Sequence, residues 1–464
     1  MSRPSLVRYT GLAGGALLGV AAYRGGAHQP WEPTVTPLTV FRGQNGVLLP
    51  LCWVFGVTLL IGAWVAGRRS VPSVRWAYVT AGLWALPLLP FLPLGSYDAY
   101  SYACQGWQQA AGLNPYAGGV DLLGCPWADA VAPTWRSAPA PYGPVFLVLA
   151  AGAAKLGGSL TGTLALLRLI AVLGVAAIGA CLPVLARRAG VPAGRAVWLV
   201  LACPLLLIHL VSGTHNDAVM VALLTGGLAV AASGRGWPAG VLFGLAVGVK
   251  ATAIVALPFA IFLIPVSRWR AGLELAGGAA GALAAVSLAS GLGLGWVGAL
   301  ADSGVSVQWT SPPTAAGMTL ELIGVPHAVA VTRALGIVVL AGVLLWLFRR
   351  AWRGGDALWH AALAMAATVL LAPVFHPWYA IWPLVLLAAT MRRDTRWLIV
   401  PVAVAAALCL PDGYNLALAT KAPGAVGMTV LAGYLMWKVL HEANFGPGRV
   451  GAGRGGADVH GLES

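Results

Sequence analysis

Charged residues are scarce in this chain: they make up 9% of its 464 residues, while 59% are hydrophobic. Soluble globular domains carry charge on about a quarter of their residues, so this composition excludes an ordinary soluble domain and indicates an integral membrane protein. The formal net charge of +14 does not indicate nucleic-acid binding, because the basic residues form no single patch interleaved with aromatic residues. They stand in pairs and triplets between apolar runs, as in "GRRSVPSVR" and "ARRAGVPAGR", which is typical of cytoplasmic anchors.

Apolar runs of about 15 to 25 residues recur along the chain, and about 20 suffice to cross the hydrocarbon core as a helix. With Arg3 and Arg8 inside, the positive-inside rule places the basic clusters and both termini in the cytoplasm. We therefore predict an all-α polytopic membrane protein with about 13 to 14 transmembrane helices. The predicted spans lie near 9–23, 47–66, 76–94, 162–186, 195–211, 217–233, 237–249, 251–266, 272–290, 327–348, 357–373, 378–391, 396–411 and 424–440.

Two parts of this topology stay open. The apolar run 144–159 is long enough to span, but crossing would put "ARRAGVPAGR" outside, so we interpret it as an interfacial or re-entrant helix. The N-terminal segment, basic "MSRPSLVR" followed by a short apolar core, is also compatible with a signal peptide. We divide the chain into an N-terminal two-helix membrane segment (1–75), a transmembrane catalytic domain (76–441) and a Gly-rich tail (442–464) that is predicted to be disordered and cytoplasmic.

Two long segments on the predicted outer side, 95–161 and 291–326, are too long for simple connectors, and loops of this length are usually functional. Cys104 and Cys125 both lie in the segment 95–161, on the predicted outer side of the membrane, where the environment is oxidising. We therefore predict a disulfide between these two cysteines. The other four cysteines, in apolar runs, are predicted core residues: Cys52, Cys181, Cys203 and Cys409.

Polar residues gather at the predicted outer boundary of the helices, in five clusters. An aromatic belt alone would explain the Trp and Tyr residues. It would not explain an aspartate and two histidines at the same depth, because ionisable residues near a bilayer are costly to keep without a use. The clusters therefore indicate a functional site, and they are "SYDAYSY" (96–102), "APAPYGP" (138–144), "GTHND" (213–217), "VQWTSPPTAAG" (307–317) and "FHPWY" (375–379).

Taken in order, six motifs resemble those of the actinobacterial polyprenol-phosphate-mannose-dependent α-(1,6)-mannosyltransferases, glycosyltransferases of the GT-C fold. They are "SYDAYSYACQGWQQAAGLNPY", "APAPYGPVFL", "VSGTHNDAVMVALL", "GLAVGVKATAIVALPF", "SPPTAAG" and "FHPWYAIWPL", and the resemblance covers about 76 to 440. It implies a plasma-membrane enzyme that transfers mannose at the outer face from polyprenyl-phosphate-mannose to a mannan-type glycan or glycolipid, with inversion, in lipomannan-type biosynthesis. The α-(1,6) linkage rests wholly on this resemblance.

The resemblance also implies that an aspartate in the first large outer loop is the catalytic base, which by position is Asp98. The alternative for Asp98 is a helix-end cap, and Asp121 and Asp129 are fallback bases. Lys250 interrupts an apolar segment. It either snorkels to the interface or pairs with the donor phosphate as the sugar departs.

Donor phosphate or sugar contacts are also predicted for the residues of "GTHND", which otherwise form a helix N-terminal cap: His215, Asn216 and Asp217. His376, before Pro377, raises the same choice. Arg136 binds either a loop carboxylate such as Asp129 or the phosphate.

Sugar-stacking candidates, with interfacial anchoring as the alternative for each, are Tyr97, Tyr100, Trp107, Tyr116, Trp135, Tyr142, Trp309, Trp378 and Tyr379. The mechanism requires no cofactor or divalent cation. A zinc site built from Asp98, His215 and His376 is conceivable, but no close ligand spacing supports it.

Three other functions stay open on the sequence alone. A GT-C enzyme that uses another polyprenyl sugar, such as arabinofuranose or glucose, is the nearest. A lipid or sugar transporter would use polar groups at mid-depth, for which Lys250 and Arg168 are the candidates. A structural subunit would not need Asp98 and two histidines on one face.

The predicted topology can be tested by cysteine labelling with a maleimide that does not cross membranes. In intact cells we expect the reagent to label Asp129→Cys, in the first outer loop, and not Gly190→Cys, in the cytoplasmic cluster "ARRAGVPAGR". Permeabilised cells serve as the control, in which both positions should react. Labelling of position 190 alone in intact cells would reverse the orientation of the chain.

Overall fold

The structure is a computed structural model that describes residues 2–27, 46–300, 306–392 and 396–444. Over these ranges the chain is mostly helical and forms no β-strand, only one isolated antiparallel bridge between Cys409 and Asn415. The predicted all-α fold is confirmed. The acidic residues Glu32, Asp302 and Asp394 and the tail from residue 445 onward lie outside the described residues.

Each of the predicted apolar segments is helical over most of its length. The helices of eight or more residues are Arg3–Gly25, Leu48–Gly67, Val74–Ala85, Asp98–Ala110, Pro144–Gly157, Leu160–Arg188, Ala193–Leu201, Asp217–Ala232, Gly236–Val247, Arg268–Ala289, Pro312–Leu322, Ala328–Trp352, Ala357–Leu371, Ile381–Thr390, Arg396–Ala407 and Lys421–Asn444. Shorter helical turns are Leu86–Leu88, Val120–Leu123, Ala128–Ala130, Pro133–Arg136, Pro204–Leu206, Leu207–Ser212, Ala251–Ala256, Leu257–Ala260, Ile261–Leu263, Gly295–Ala299, Pro377–Ala380 and Leu416–Ala419.

Fewer helices than predicted are full-length membrane spans. In the described residues, 5 helices are long and apolar enough to cross a membrane, or 6 if the pair Ala193–Leu201 and Pro204–Ser212, bent by 46°, counts as one. Seven further apolar helices have only 10–17 residues. Proline explains part of the difference, because it lacks the N–H that continues a helix: the predicted span 76–94 has its regular helix end at Ala85, before Pro87. These helices make the chain a multi-pass membrane protein.

The first helix packs against helices from both sequence regions, before and after the predicted boundary at residue 75. A Cβ added at Gly14 would lie 2.9 Å from the carbonyl oxygen of Gly56 in the second helix, which shows how closely the two backbones approach. Beyond the boundary, the indole of Trp84 donates a hydrogen bond to the carbonyl oxygen of Arg8 (2.8 Å). The division at 75 stays a prediction, and a signal peptide stays an alternative for the N-terminal segment.

Small residues position the segment that carries Lys250. Gly240 and Gly244 face the Arg268–Ala289 helix so closely that a Cβ on them would lie 2.4 Å and 2.2 Å from the carbonyl oxygens of Leu275 and Ala279. Glycines four residues apart allow this approach, which lets van der Waals contacts hold two membrane helices together. The Gly236–Val247 helix then ends, and Lys250 follows in extended conformation.

Arg168, in the first third of the long Leu160–Arg188 helix, hydrogen-bonds to two broken helices. Its guanidinium donates to the carbonyl oxygens of Leu89 and Phe91 (both 2.6 Å) and of Ser212 (2.9 Å). The planar fork of arginine can bind several oxygens at once. Residues 89–91 lead to "SYDAYSY" and residue 212 leads to "GTHND", so the Arg168 side chain supports the two segments that carry the candidate site.

Candidate functional site

Asp98 is the first residue of the Asp98–Ala110 helix, at one end of the helix bundle. The chain reaches it through Gly95, whose φ of +75° is in the left-handed region that favours glycine, and where a Cβ would lie 2.9 Å from the His209 ring. The Asp98 backbone N–H is capped by the Ser96 hydroxyl (3.0 Å). The Asp98 side chain is 14% exposed and faces His215, so it is not occupied as a cap for its own helix.

A cavity of about 540 Å³ opens beside Asp98. Pockets for small ligands have about this volume, with a few polar groups set among aromatic surfaces. Here carboxylate and amide side chains, which can hydrogen-bond to hydroxyl groups, lie beside the rings of aromatic side chains. The polar and aromatic lining residues are Ser96, Tyr97, Asp98, Thr134, Trp135, Ser306, Gln308, His376, Trp378, Asp412, Tyr414, Asn415 and Lys421.

All five polar clusters of the sequence surround Asp98. The clusters 96–102, 307–317 and 375–379 contribute to the 540 Å³ cavity. Residues Pro139, Pro141 and Tyr142 of "APAPYGP" line a small cleft that also contains Asp98, and "GTHND" supplies His215 on its buried side. The convergence that the topology predicted is therefore present in the structure.

His215 contacts the carboxylate of Asp98 on the buried side of that carboxylate. Its Nδ1 lies 3.5 Å from Asp98 Oδ2 and 3.5 Å from the Tyr102 hydroxyl, and its ring stacks on Trp378 at 4.1 Å. The preceding residue, Thr214, has a φ of +56°, a strained conformation of the kind that clusters at functional sites. His215 is fully buried, so the geometry favours positioning of Asp98 over the predicted phosphate contact.

Lys250 forms a buried ion pair with Asp217. Its Nζ lies 2.9 Å from Asp217 Oδ1, which also accepts a hydrogen bond from the Trp382 indole at 2.6 Å. The ammonium sits over the rings of Tyr379 (4.4 Å) and Trp382 (5.0 Å). Lys250 does not snorkel away, since its side chain is only 13% exposed. Asp217 is fully buried by these partners and does not reach the cavity.

The electrostatic setting of Asp98 suits a base. Burial raises the pKa of its carboxyl from 3.8 to about 6, although the Lys250 ammonium and the Ser96 hydroxyl act to lower it. A general base is most effective when its pKa lies near the working pH. Asp98 is thus ionised at neutral pH and basic enough to take a proton from a hydroxyl group.

His376 lies on the cavity wall with its ring parallel to that of Trp378, at 4.7 Å and 3°. Its position just before the Pro377–Ala380 turn follows from Pro377, which starts the turn. Asn216 precedes the Asp217–Ala232 helix and is buried. Of the predicted phosphate or sugar contacts, His376 is therefore the one that faces the cavity.

Arg136 binds loop carboxylates, which is one of the two alternatives left open by the sequence. Its Nε lies 2.9 Å from Asp121 Oδ1 and its Nη1 lies 4.0 Å from Asp129. It does not line the cavity. The same loop contains the Cys104–Cys125 disulfide, for which the sequence predicted the pairing, with a Cα–Cα distance of 5.5 Å.

The aromatic candidates divide by position. Tyr97, Trp135 and Trp378 line the cavity, Tyr142 lies in the cleft beside Asp98, and Tyr379 lies under Lys250. The others make contacts elsewhere. The hydroxyl of Tyr100 bonds to the carbonyl of Ala27, that of Tyr116 to the carbonyl of Tyr142, and the indole of Trp309 to Thr420, while Trp107 lies outside the cavity lining.

Sequence reasoning missed three polar residues that line the same cavity as Asp98, namely Gln308, Asp412 and Asn415. Gln308 accepts a hydrogen bond from the Asn415 side chain (3.0 Å), and Asp412 lies beside them. Gln308 was visible inside the cluster 307–317 but received no role. "PDGYN" (411–415) is also a turn sequence, and the Asp412 side chain does accept from the Tyr414 N–H, so its composition alone did not distinguish a site from a turn.

In the described part of the chain, no group of three or more His, Cys, Asp or Glu side chains is arranged to hold a metal ion. Asp98, His215 and His376 come near one another, but through the stacked Trp378 ring and not around a common centre.

Comparisons with known proteins match most of the chain. A family model described as "Alpha-(1->6)-mannopyranosyltransferase, N-terminal domain" matches residues 8–266, and one described as "MptB C-terminal domain" matches residues 313–442. The chain is 35% identical to alpha-(1->6)-mannopyranosyltransferase A of Mycobacterium tuberculosis, covering 82% of this chain and 80% of the relative. It is 32% identical to a probable alpha-(1->6)-mannopyranosyltransferase of Mycolicibacterium smegmatis, covering 75% and 70%.

The ion pair between Lys250 and Asp217 can be tested by a double-mutant cycle. Lys250→Met should lower stability by about 3 to 5 kcal/mol, because it leaves a buried carboxylate without a counter-charge. The double variant Lys250→Met/Asp217→Asn should lose less than the sum of the two single variants. Thermal unfolding of the purified protein in detergent, followed by tryptophan fluorescence, measures the difference.

The matched control is the pair Arg270–Glu274, which has the same 2.9 Å separation but an arginine side chain that is 70% exposed. The coupling energy of the Arg270–Glu274 pair in its own double-mutant cycle should stay below about 1 kcal/mol, because water screens exposed ion pairs. Equal coupling in the two cycles would show that burial does not strengthen the Lys250–Asp217 pair.

Proposed function

This chain belongs to the α-(1→6)-mannopyranosyltransferase family, and we propose that it transfers mannose from polyprenyl-phosphate-mannose to a mannan-type glycan or glycolipid, with inversion and formation of an α-(1,6) linkage. The observation that carries the proposal is the placement of Asp98. It is an ionisable carboxylate on the wall of a sugar-sized cavity, held by His215, with a buried ammonium in its field. The names of the relatives support the sugar and the linkage.

The proposed reaction needs one base. Asp98 takes the proton from an acceptor hydroxyl as the hydroxyl oxygen attacks the anomeric carbon of the donor. The new carbon–oxygen bond forms on one face of the sugar while the bond from the anomeric carbon to the phosphate oxygen breaks on the other. The bonding electrons leave with polyprenyl phosphate, and a single displacement of this kind inverts the anomeric centre.

The leaving group takes up negative charge, and cationic or hydrogen-bonding groups near it stabilise the transition state. His376 on the cavity wall is placed to donate to a phosphate oxygen. The Lys250 ammonium is paired with Asp217 and does not line the cavity, so in this proposal it acts on the leaving group through its charge and not through a contact. We assign His376 to the donor phosphate as a hydrogen-bond donor and Lys250 as a nearby charge, while Gln308 and Asn415 are further polar groups of the same cavity.

A lipid-linked donor fits this architecture. The cavity lies among helix ends of a multi-pass membrane protein, so a polyprenyl chain would stay in the bilayer while its sugar enters the cavity. In the predicted topology this end faces outward, which places the reaction on the outer face of the plasma membrane in lipomannan-type biosynthesis. We further propose that the fold is of the GT-C type, with Asp98 in its first outer loop.

The central test replaces the base. Asp98→Asn keeps the shape of the side chain but removes its basicity, and we expect the rate of mannosyl transfer to fall by about 10²- to 10⁴-fold. Membranes that contain the protein are incubated with radiolabelled polyprenyl-phosphate-mannose and a short α-mannoside acceptor. Asp129→Asn, an 89% exposed carboxylate in the same loop, is the matched control and should keep wild-type activity.

The same assay separates the base from the donor. Equal product from wild type and Asp98→Asn would remove Asp98 as the base. If the wild type labels the acceptor from polyprenyl-phosphate-glucose or polyprenyl-phosphate-arabinofuranose and not from the mannose donor, the proposed sugar is wrong. Transfer from GDP-mannose in the absence of any polyprenyl lipid would contradict the lipid-linked donor.

The pH profile of the reaction should report the raised pKa of Asp98. A carboxyl with a pKa of about 6 loses its base form as the pH falls below 6, so kcat/KM should drop about tenfold per pH unit there. In Lys250→Gln the acid limb should move to higher pH, because the ammonium that lowers the pKa of Asp98 is gone. Arg136→Gln, which removes a cation bound elsewhere in the loop, should leave the limb in place.

The position of the limb is read separately from the height of the profile, since Lys250→Gln also removes charge from the phosphate side. An acid limb at the same pH in wild type and Lys250→Gln would show that Lys250 does not act on the base.

A further inference from the structure

A second cavity, of about 510 Å³, lies at the other end of the bundle and has no part in the proposed reaction. The Ala357–Leu371 helix begins at this cavity and ends five residues before His376 of the Asp98 cavity. Its 15 residues span about 22 Å. We call this second space the basic-end cavity, because its charged lining residues are Arg188, Arg268 and Asp356.

Arg268 is held in place by aromatic rings and not by a carboxylate. Its guanidinium carbon lies 4.7 Å from the Trp352 ring centroid and 5.8 Å from that of Phe262. The ion pairs found among the described residues include neither Arg268 nor Arg188. Cation–π contact fixes the plane of a guanidinium and leaves its N–H groups available for an anion.

Among the described residues, the Asp356 carboxylate forms no ion pair with Arg188 or Arg268. Its carboxylate caps the Ala357–Leu371 helix by accepting from the Trp359 N–H at 3.1 Å. The N-terminus of the same helix opens on the cavity through Ala357 and Leu358, and helix N-termini favour negative charge. The Asp356 carboxylate thus already occupies the positive end of this helix, and the basic-end cavity keeps two arginines that have no carboxylate partner among the described residues.

The rest of the lining is apolar and lies at the level where membrane-crossing helices stop. Ile261, Phe262, Leu263, Ile264 and Val266 form one wall. Of the five helices long enough to span a membrane, Leu160–Arg188 and Ala328–Trp352 end here and Arg268–Ala289 begins here. The ends of membrane spans lie near the phosphate groups of the lipids, where Trp and Arg residues gather.

We propose that the basic-end cavity binds an anionic phospholipid, with its phosphate between Arg188 and Arg268 and an acyl chain along the wall from Ile261 to Val266. A soluble anion would use the arginines but gain nothing from the apolar wall. In the predicted topology this leaflet is the cytoplasmic one, which carries anionic lipid. The site does not depend on the proposed sugar transfer.

The test measures lipid retention by the full-length protein. Protein purified in detergent with phosphatidylcholine is titrated with phosphatidylglycerol, and bound lipid is counted by native mass spectrometry. Each arginine near a lipid phosphate contributes about a fivefold gain in affinity, so Arg188→Gln/Arg268→Gln should bind phosphatidylglycerol about thirtyfold more weakly than wild type. The control Arg349→Gln/Arg353→Gln removes the same charge at the same end but outside the cavity lining, and should bind as wild type does.

Three outcomes would overturn the proposal: equal loss of binding in the two double variants, no preference of the wild type for phosphatidylglycerol over phosphatidylcholine, or displacement of the lipid by glycerol phosphate or inorganic phosphate. Unchanged melting in phosphatidylcholine alone shows that a variant is folded. If the double variant does not fold, Arg268→Lys replaces it. That variant keeps the charge but loses the planar stacking on Trp352. It should weaken phosphatidylglycerol binding by less than the factor of about thirty expected for removing both charges.

Discussion

The ion pair between Lys250 and Asp217 is the constraint around which the candidate site is built. An ammonium and a carboxylate taken out of water lose several kcal/mol of hydration each, and the loss is offset only when the two groups meet at good geometry with further hydrogen bonds. Here Trp382 supplies the further bond, and the rings of Tyr379 and Trp382 face the ammonium. Three segments far apart in sequence must therefore assemble in one arrangement.

This arrangement also sets the properties of Asp98. The Lys250 ammonium opposes the rise in pKa that burial causes, so the carboxyl stays ionised at neutral pH. His215 limits the movement of the carboxylate, and the stack of His215, Trp378 and His376 limits the movement of His215. In the base role that we propose for Asp98, a carboxylate held in this way needs little reorganisation when charge develops, and such preorganisation is usually the largest contribution to catalysis.

The two ends of the bundle differ in chemistry although one helix, Ala357–Leu371, connects them. One end presents carboxylates, amides and aromatic rings around a cavity, which suits a sugar. The other presents arginines at the level where membrane spans stop, which suits lipid phosphate. The sequence indicates this asymmetry, because in the predicted topology the basic clusters lie on one side of the membrane and the polar aromatic clusters on the other.

The helices, the five polar clusters, Asp98 as the candidate base and the Cys104–Cys125 pairing could all be predicted from the sequence. The helices and clusters depend on local hydrophobicity and on the alternation of sides across the membrane. The cysteine pairing depends on a shared outer loop, and the base role of Asp98 was implied by the family resemblance of the motifs. The partners of individual side chains could not be predicted. Lys250 pairs with Asp217, which is 33 residues away in sequence. Trp382 donates to Asp217 from 165 residues away, and Asn415 donates to Gln308 from 107 residues away. Composition determined that this chain is a bundle of membrane helices with its polar chemistry at one end. Only the tertiary structure decided which polar residues pair with each other and which face the cavity, because burial and ion pairing depend on contacts between segments that are distant in sequence.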